Sequence, residues 1–253
     1  MRKASKILAA VTAAVLLSTA IGHAKRFELL RPRTAASAVV SDTPAKIASD
    51  RVALVIANSS YPDADAPLMQ ITGDAKAFAG ALRSRGYQVD VVANATRSDM
   101  TRAVERLKSQ VRPGGTVALY LGGFGVQSRR QNYLLPVDAT IWQERDVRRQ
   151  GLDIDSLLTE LKSAGAKVQL AYVDASLRNP YERRFRTYSH GLAPFAADAP
   201  AQIVTTAAPD HVIDDVQQPY SASMTALVNR LNASEHVEQA FRDVRSTVTQ
   251  AML

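Results

Sequence analysis

The sequence predicts an α/β fold with a mostly parallel central sheet flanked by helices. Two observations predict it. Near-continuous apolar runs, Val52-Ala53-Leu54-Val55-Ile56 and Thr116-Val117-Ala118-Leu119-Tyr120-Leu121, have the pattern of strands buried on both faces. Such runs alternate along the chain with segments whose apolar residues recur at helical spacing. A length of 253 residues with 46% hydrophobic content fits one domain, at most two, with a sizeable core.

The elements follow in order. The first strand ends in the loop Asn58-Ser59-Ser60-Tyr61-Pro62. A helix over 74–85 places Ala75, Phe78, Ala79 and Leu82 on one face, stops at Gly86, and leads to a strand over 87–92. Ser98 caps a second helix reaching about residue 111, Pro113-Gly114-Gly115 turns the chain, and 116–121 is the third strand. Trp142 and the stretch 145–149 read as a surface excursion between a hairpin and a helix over 155–164, which Gly165 closes. A fourth strand over 167–173 precedes a basic, proline-punctuated stretch, 178–194. A fifth strand over 201–207, a helix over 221–231 and an amphipathic helix over 235–250 complete the chain. Val237, Ala240, Phe241, Val244 and Val248 form the apolar face of that last helix. The folded domain is therefore expected over 51–232, with 233–253 as a C-terminal helix packing on it. Ligands of such sheets sit beyond the carboxyl ends of the strands, so the loops after strands one, three and four are the ones to read for chemistry.

The segment before the domain reads as export and linkage. Arg2, Lys3 and Lys6 precede an uncharged run over 7–22, and Gly22-His23-Ala24 supplies a small-residue exit, the three parts of a secretory signal spanning 1–24. The expected location is secreted, in the periplasm, with no stable membrane span once the leader is cleaved; the run is shorter than the roughly 20 residues of a span. Residues 25–50, rich in Ala, Ser and Thr with Pro32 and Pro44, read as a linker or mobile arm. Without the three leader cations the net charge falls from +7 to +4, a balance that does not indicate nucleic acid. The interleaved Tyr181, Arg183, Arg184, Phe185, Arg186 and Tyr188 are expected to be a solvated loop.

The chain contains no cysteine. This excludes disulfides, cysteine-ligated zinc, iron–sulfur clusters and a thiol nucleophile, and no metal or other cofactor is expected.

Two strand-end loops carry a resemblance. After strand three comes Gly122-Gly123-Phe124-Gly125, continuing to Asn132-Tyr133-Leu134-Leu135-Pro136, and after strand four comes Val173-Asp174-Ala175-Ser176. With the opening Leu54-Val55-Ile56-Ala57-Asn58-Ser59-Ser60-Tyr61, Gly73-Asp74-Ala75, Gly191-Leu192-Ala193-Pro194, Pro219-Tyr220-Ser221 and the last helix, the chain over 51–245 resembles the caspase-like cysteine peptidases. The similarity is to the bacterial metacaspase-related, peptidase C14 branch. In that family a His-Gly follows the third strand and an Asp-Ala-Cys the fourth. The resemblance places Phe124 at the histidine position and Ser176 at the cysteine position, 52 residues apart. It implies a caspase-like fold with neither member of the catalytic dyad intact. A phenyl ring cannot accept a proton, and a serine hydroxyl is a weak nucleophile without a base in reach.

The chain's four histidines are His23, His190, His211 and His236. Of these, His190 and His211 stand in loops that could supply a displaced base. The resemblance further implies that Asp74 and Asp174 line an acidic pocket for a basic side chain. Equally, Asp74 could cap its helix and Asp174 accept backbone hydrogen bonds, and Arg178 could neutralise the pocket. Three functions follow: an inactive homologue binding a peptide or protein through the former substrate cleft, a hydrolase using Ser176 with a displaced base, or a structural or assembly module with a closed cleft.

Overall fold

The computed structural model describes residues 50–178, 181, 191–196, 198–213 and 219–251, with side chains described to residue 245. Five strands form the central sheet: β1 (Arg51–Ala57), β2 (Gln88–Ala93), β3 (Thr116–Gly122), β7 (Val168–Asp174) and β8 (Gln202–Thr205). Their order is β2-β1-β3-β7-β8, and every pairing is parallel. The central strands β1, β3 and β7 are buried on both faces, which explains why each reads as an unbroken apolar run. A second, antiparallel sheet holds β4 (Gly125–Ser128), β5 (Gln131–Leu134) and β6 (Leu152–Asp153).

Six helices cover the sheet among the described residues: α1 (Met69–Ser84), α2 (Arg97–Gln110), α3 (Glu144–Gln150), α4 (Ile154–Ser163), α5 (Ala222–Ala233) and α6 (Val237–Ala251). The core divides by strand alternation. Val55, Tyr120 and Tyr172 face α1, α5 and α6, where Phe78, Leu227 and Phe241 pack. Leu54, Leu119 and Val173 face α2 and α4, where Leu107 and Leu158 pack. The α6 helix is thus part of the same core as the domain that precedes it.

Three helix boundaries depart from the sequence reading. The first helix begins at Met69, so Asp74 lies within it and does not cap it. The cap of α2 is Thr96, not Ser98: Thr96 Oγ1 accepts from the Asp99 amide while the Asp99 carboxylate accepts from the Thr96 amide, a reciprocal capping box. The stretch 145–149 is helical, inside α3; Trp142 before it is exposed.

The contact that orients the site lies between α1 and the start of α5. A methyl group at Gly73 would run into the Pro219 carbonyl, so the helix can approach this segment only because residue 73 has no side chain. Gly73→Ala should lower stability by about 1–3 kcal/mol in urea unfolding. Gly80→Ala on the same helix, where nothing lies in the way, should raise it by about 0.5–1 kcal/mol; equal effects of the two would contradict the packing.

Candidate functional site

The parallel register of β3 and β7 sets Gly122 beside Asp174, so the two loops carrying the resemblance leave the sheet side by side. The Gly123 amide donates to the Asp174 carbonyl (3.0 Å), and one antiparallel bridge then joins Phe124 to Ser176. The sequence-predicted pair is therefore brought together.

Phe124 is built in as core. It is 3% exposed, and its ring centroid lies 4.4 Å from that of Tyr61 and 6.4 Å from that of Tyr181. Its backbone is equally held. The Phe124 amide donates to Tyr61 Oη (3.0 Å), whose hydroxyl donates to the Leu135 carbonyl (2.8 Å), and the Leu135 amide donates to the Phe124 carbonyl (2.9 Å). Tyr61, in sequence only one residue of the loop after the first strand, thus anchors this wall. Burial holds its phenol protonated, well above the ordinary tyrosine range. Tyr181, expected from the sequence to lie in a solvated loop, is instead buried, its ring packed edge-on against Phe124.

Ser176 is 1% exposed, and its Oγ has no hydrogen-bond partner among the described residues. Its carbonyl accepts from the Ile213 amide (2.9 Å). His211, two residues before Ile213, is exposed, with Nδ1 2.9 Å from the Pro209 carbonyl, and it makes no bond to Ser176. His190, and the basic series 183–188, lie outside the described residues.

The acidic pair is also brought together, and both carboxyl groups are fully buried. Asp74 accepts from the Ser221 amide (2.9 Å) and the Ser221 hydroxyl (2.5 Å), while Ser221 Oγ accepts from the Met224 amide and so caps α5. Asp74 is thereby a holder of another helix's cap. Tyr172, bonded to Ser223 (2.7 Å) and 3.3 Å from Ser221, extends this chain. Asp174 accepts from the Thr206 hydroxyl (2.9 Å), with Gln70 and Tyr120 as further donors. Tyr120 and Tyr172 stack at 5.8 Å beneath both acids.

No cation pairs with either acid among the described residues. Arg178 is exposed, its amide donating to the Ile213 carbonyl. Burial first, and the charge of Asp74 second, push the Asp174 carboxyl up to about 7; burial also raises Asp74, against the two Ser221 bonds. One cavity, of about 200 Å³, opens between the 62–63 loop, 137–142 and Tyr181, and another lies at the amino ends of β7 and β8. Neither is lined by Asp74, Asp174 or Ser176.

The five-stranded parallel sheet, the facing strand-end loops and the paired acids define a caspase-like α/β domain. The peptidase C14 family, described as the caspase domain, matches residues 50–252, and the chain belongs to that family. A search of curated proteins gave no match.

A buried acid with a raised pKa makes stability depend on pH. Between the ordinary aspartate value of 3.8 and about 7, the native state keeps a proton that the unfolded chain releases. Stability from this group therefore falls as pH rises through that window. Against Asp174→Asn, the wild type should lose stability progressively from about pH 4 to about pH 7 in urea titrations, with a constant difference above. Parallel profiles would contradict the assignment.

Proposed function

We propose that this protein is a catalytically inactive caspase-like domain whose former substrate cleft is closed by packing, exported by its leader and acting as an assembly or binding module. The observation that carries this reading is the bridged pair at the strand ends. Where the resemblance calls for a base and a nucleophile, Phe124 is clamped between Tyr61 and Tyr181, and Ser176 Oγ is buried with no hydrogen-bond partner among the described residues. A thiol nucleophile is excluded outright, since the chain has no cysteine. A serine needs a base within hydrogen-bond reach, and His211 bonds elsewhere. The closed cleft rests on the complete burial of Asp74 and Asp174, each satisfied by neutral donors from the protein itself.

A second reading keeps the cleft as a binding site for a peptide or protein with a basic side chain. The observation favouring it is the same acid pair seen electrostatically. Two desolvated carboxyl groups without a cation would gain from a guanidinium that entered between them. That reading requires opening of the Ser221 contact.

Purified protein should release no fluorophore from peptides ending in Arg or Lys, and a fluorophosphonate should leave Ser176 unlabelled. Turnover that disappears in Ser176→Ala would overturn the proposal. Saturable binding of the same peptides, lost in Asp174→Asn, would select the second reading over the first.

A further inference from the structure

At the amino edge of the sheet, opposite the loops described above, a cavity of about 590 Å³ lies around the starts of β7 and β8. Its size is that of a small-molecule or peptide-end site. Gln169 lines it, is 3% exposed, and has both side-chain atoms, Oε1 and Nε2, without a hydrogen-bond partner among the described residues. Gln202, from the neighbouring strand, also lines the cavity, from the other face of the sheet, and its Oε1 is buried with no hydrogen-bond partner among the described residues. Buried carboxamides are ordinarily satisfied, and one that is not calls for an explanation.

Strand alternation sharpens the point. Gln169 shares its side of β7 with Ala171 and Val173, both packed in the apolar layer under α2 and α4, so an aliphatic residue would be the ordinary occupant. A carboxamide presents one donor and one acceptor side by side, the complement of another amide. The cavity's charged border fits an anion next to that amide. Lys167 stands two residues before Gln169, and Lys162 ends α4; both are exposed, and neither makes an ion pair among the described residues. Arg242 adds a third cation against Asp198 and Glu238, while Ala166, Val168 and Pro200 give apolar wall.

We propose that this cavity binds an amide adjoining a carboxylate, the chemistry of a peptide's carboxyl terminus. Gln169 pairs with the amide, and Lys162 and Lys167 face the carboxylate. The site is separate from Phe124, Ser176 and the acidic pair, so its failure would leave the reading of that site untouched.

The test follows the Gln169 side-chain NH2 resonances in ¹⁵N-labelled full chain, identified by their loss in Gln169→Leu. Three probes are titrated: N-acetyl-Ala-Ala with a free carboxylate, its carboxyl-terminal amide, and acetate. The free acid should shift the Gln169 signals saturably, the amidated peptide should bind at least about tenfold more weakly, and acetate should leave them in place. Lys162→Ala with Lys167→Ala, both at exposed positions, should bring the free acid down to the affinity of the amidated peptide. Binding of the free acid followed through backbone resonances should be lost in Gln169→Leu, and the thermal midpoint of that variant should rise because an unpaired buried polar group is removed. The proposal is overturned by no saturable shift at about 10 mM peptide, by equal response to acetate, by binding retained in Gln169→Leu, or by a lowered midpoint in that variant.

Discussion

Two carboxyl groups withdrawn from water, Asp74 and Asp174, set a constraint around which this edge of the sheet is built. A buried carboxylate without a counter-ion is costly, so each must collect hydrogen-bond donors from whatever packs around it. Asp74 collects both donors of Ser221, and in doing so fixes where α5 begins. Asp174 collects Thr206 from the loop after β8, with Gln70 of α1 and Tyr120 of β3. The pair thereby ties α1, α5 and three strands to one point at the carboxyl edge of the sheet. Burial raises the pKa of both acids, and the neighbouring charge of Asp74 adds to it at Asp174, so this network holds together best when it carries a proton.

Next to that point the same edge carries the two loops that bear the resemblance. Parallel register delivers Phe124 and Ser176 opposite one another whatever their side chains are, because it is set by backbone pairing of β3 with β7. An aromatic cluster of Tyr61, Phe124 and Tyr181 fills the wall, and the Ser176 hydroxyl beside it has no hydrogen-bond partner among the described residues. On the reading proposed above, a site of reaction has become a site of packing, consistent with the independence of fold and activity.

The central strands were legible because strands buried on both faces need apolar residues at every position, a signal that no partner can mask. Pairing of Phe124 with Ser176, and of Asp74 with Asp174, was legible through the resemblance and not through local pattern. What escaped has particular causes. An aspartate at position 74 reads as a helix start, but its carboxylate is engaged by Ser221, 147 residues away, while Leu68 opens α1 with no side-chain cap. The α3 helix is seven mostly charged residues, too short for a periodic signal, and β4 to β6 are two to four residues each. Gln169 stands out in the sequence as one carboxamide inside the run Val168-Gln169-Leu170-Ala171-Tyr172. Only the cavity beside it gives that residue a meaning.

Whether the former cleft is core or a gate is read most directly from native-state hydrogen exchange at the Phe124, Leu135 and Ile213 amides. These donate to Tyr61 Oη, to the Phe124 carbonyl and to the Ser176 carbonyl respectively. If the site is closed by packing, they exchange only through global unfolding, with the same free energy and denaturant dependence as the amides of β3. Exchange through a smaller, denaturant-insensitive opening, with β3 still protected, would contradict the account and show a cleft that opens.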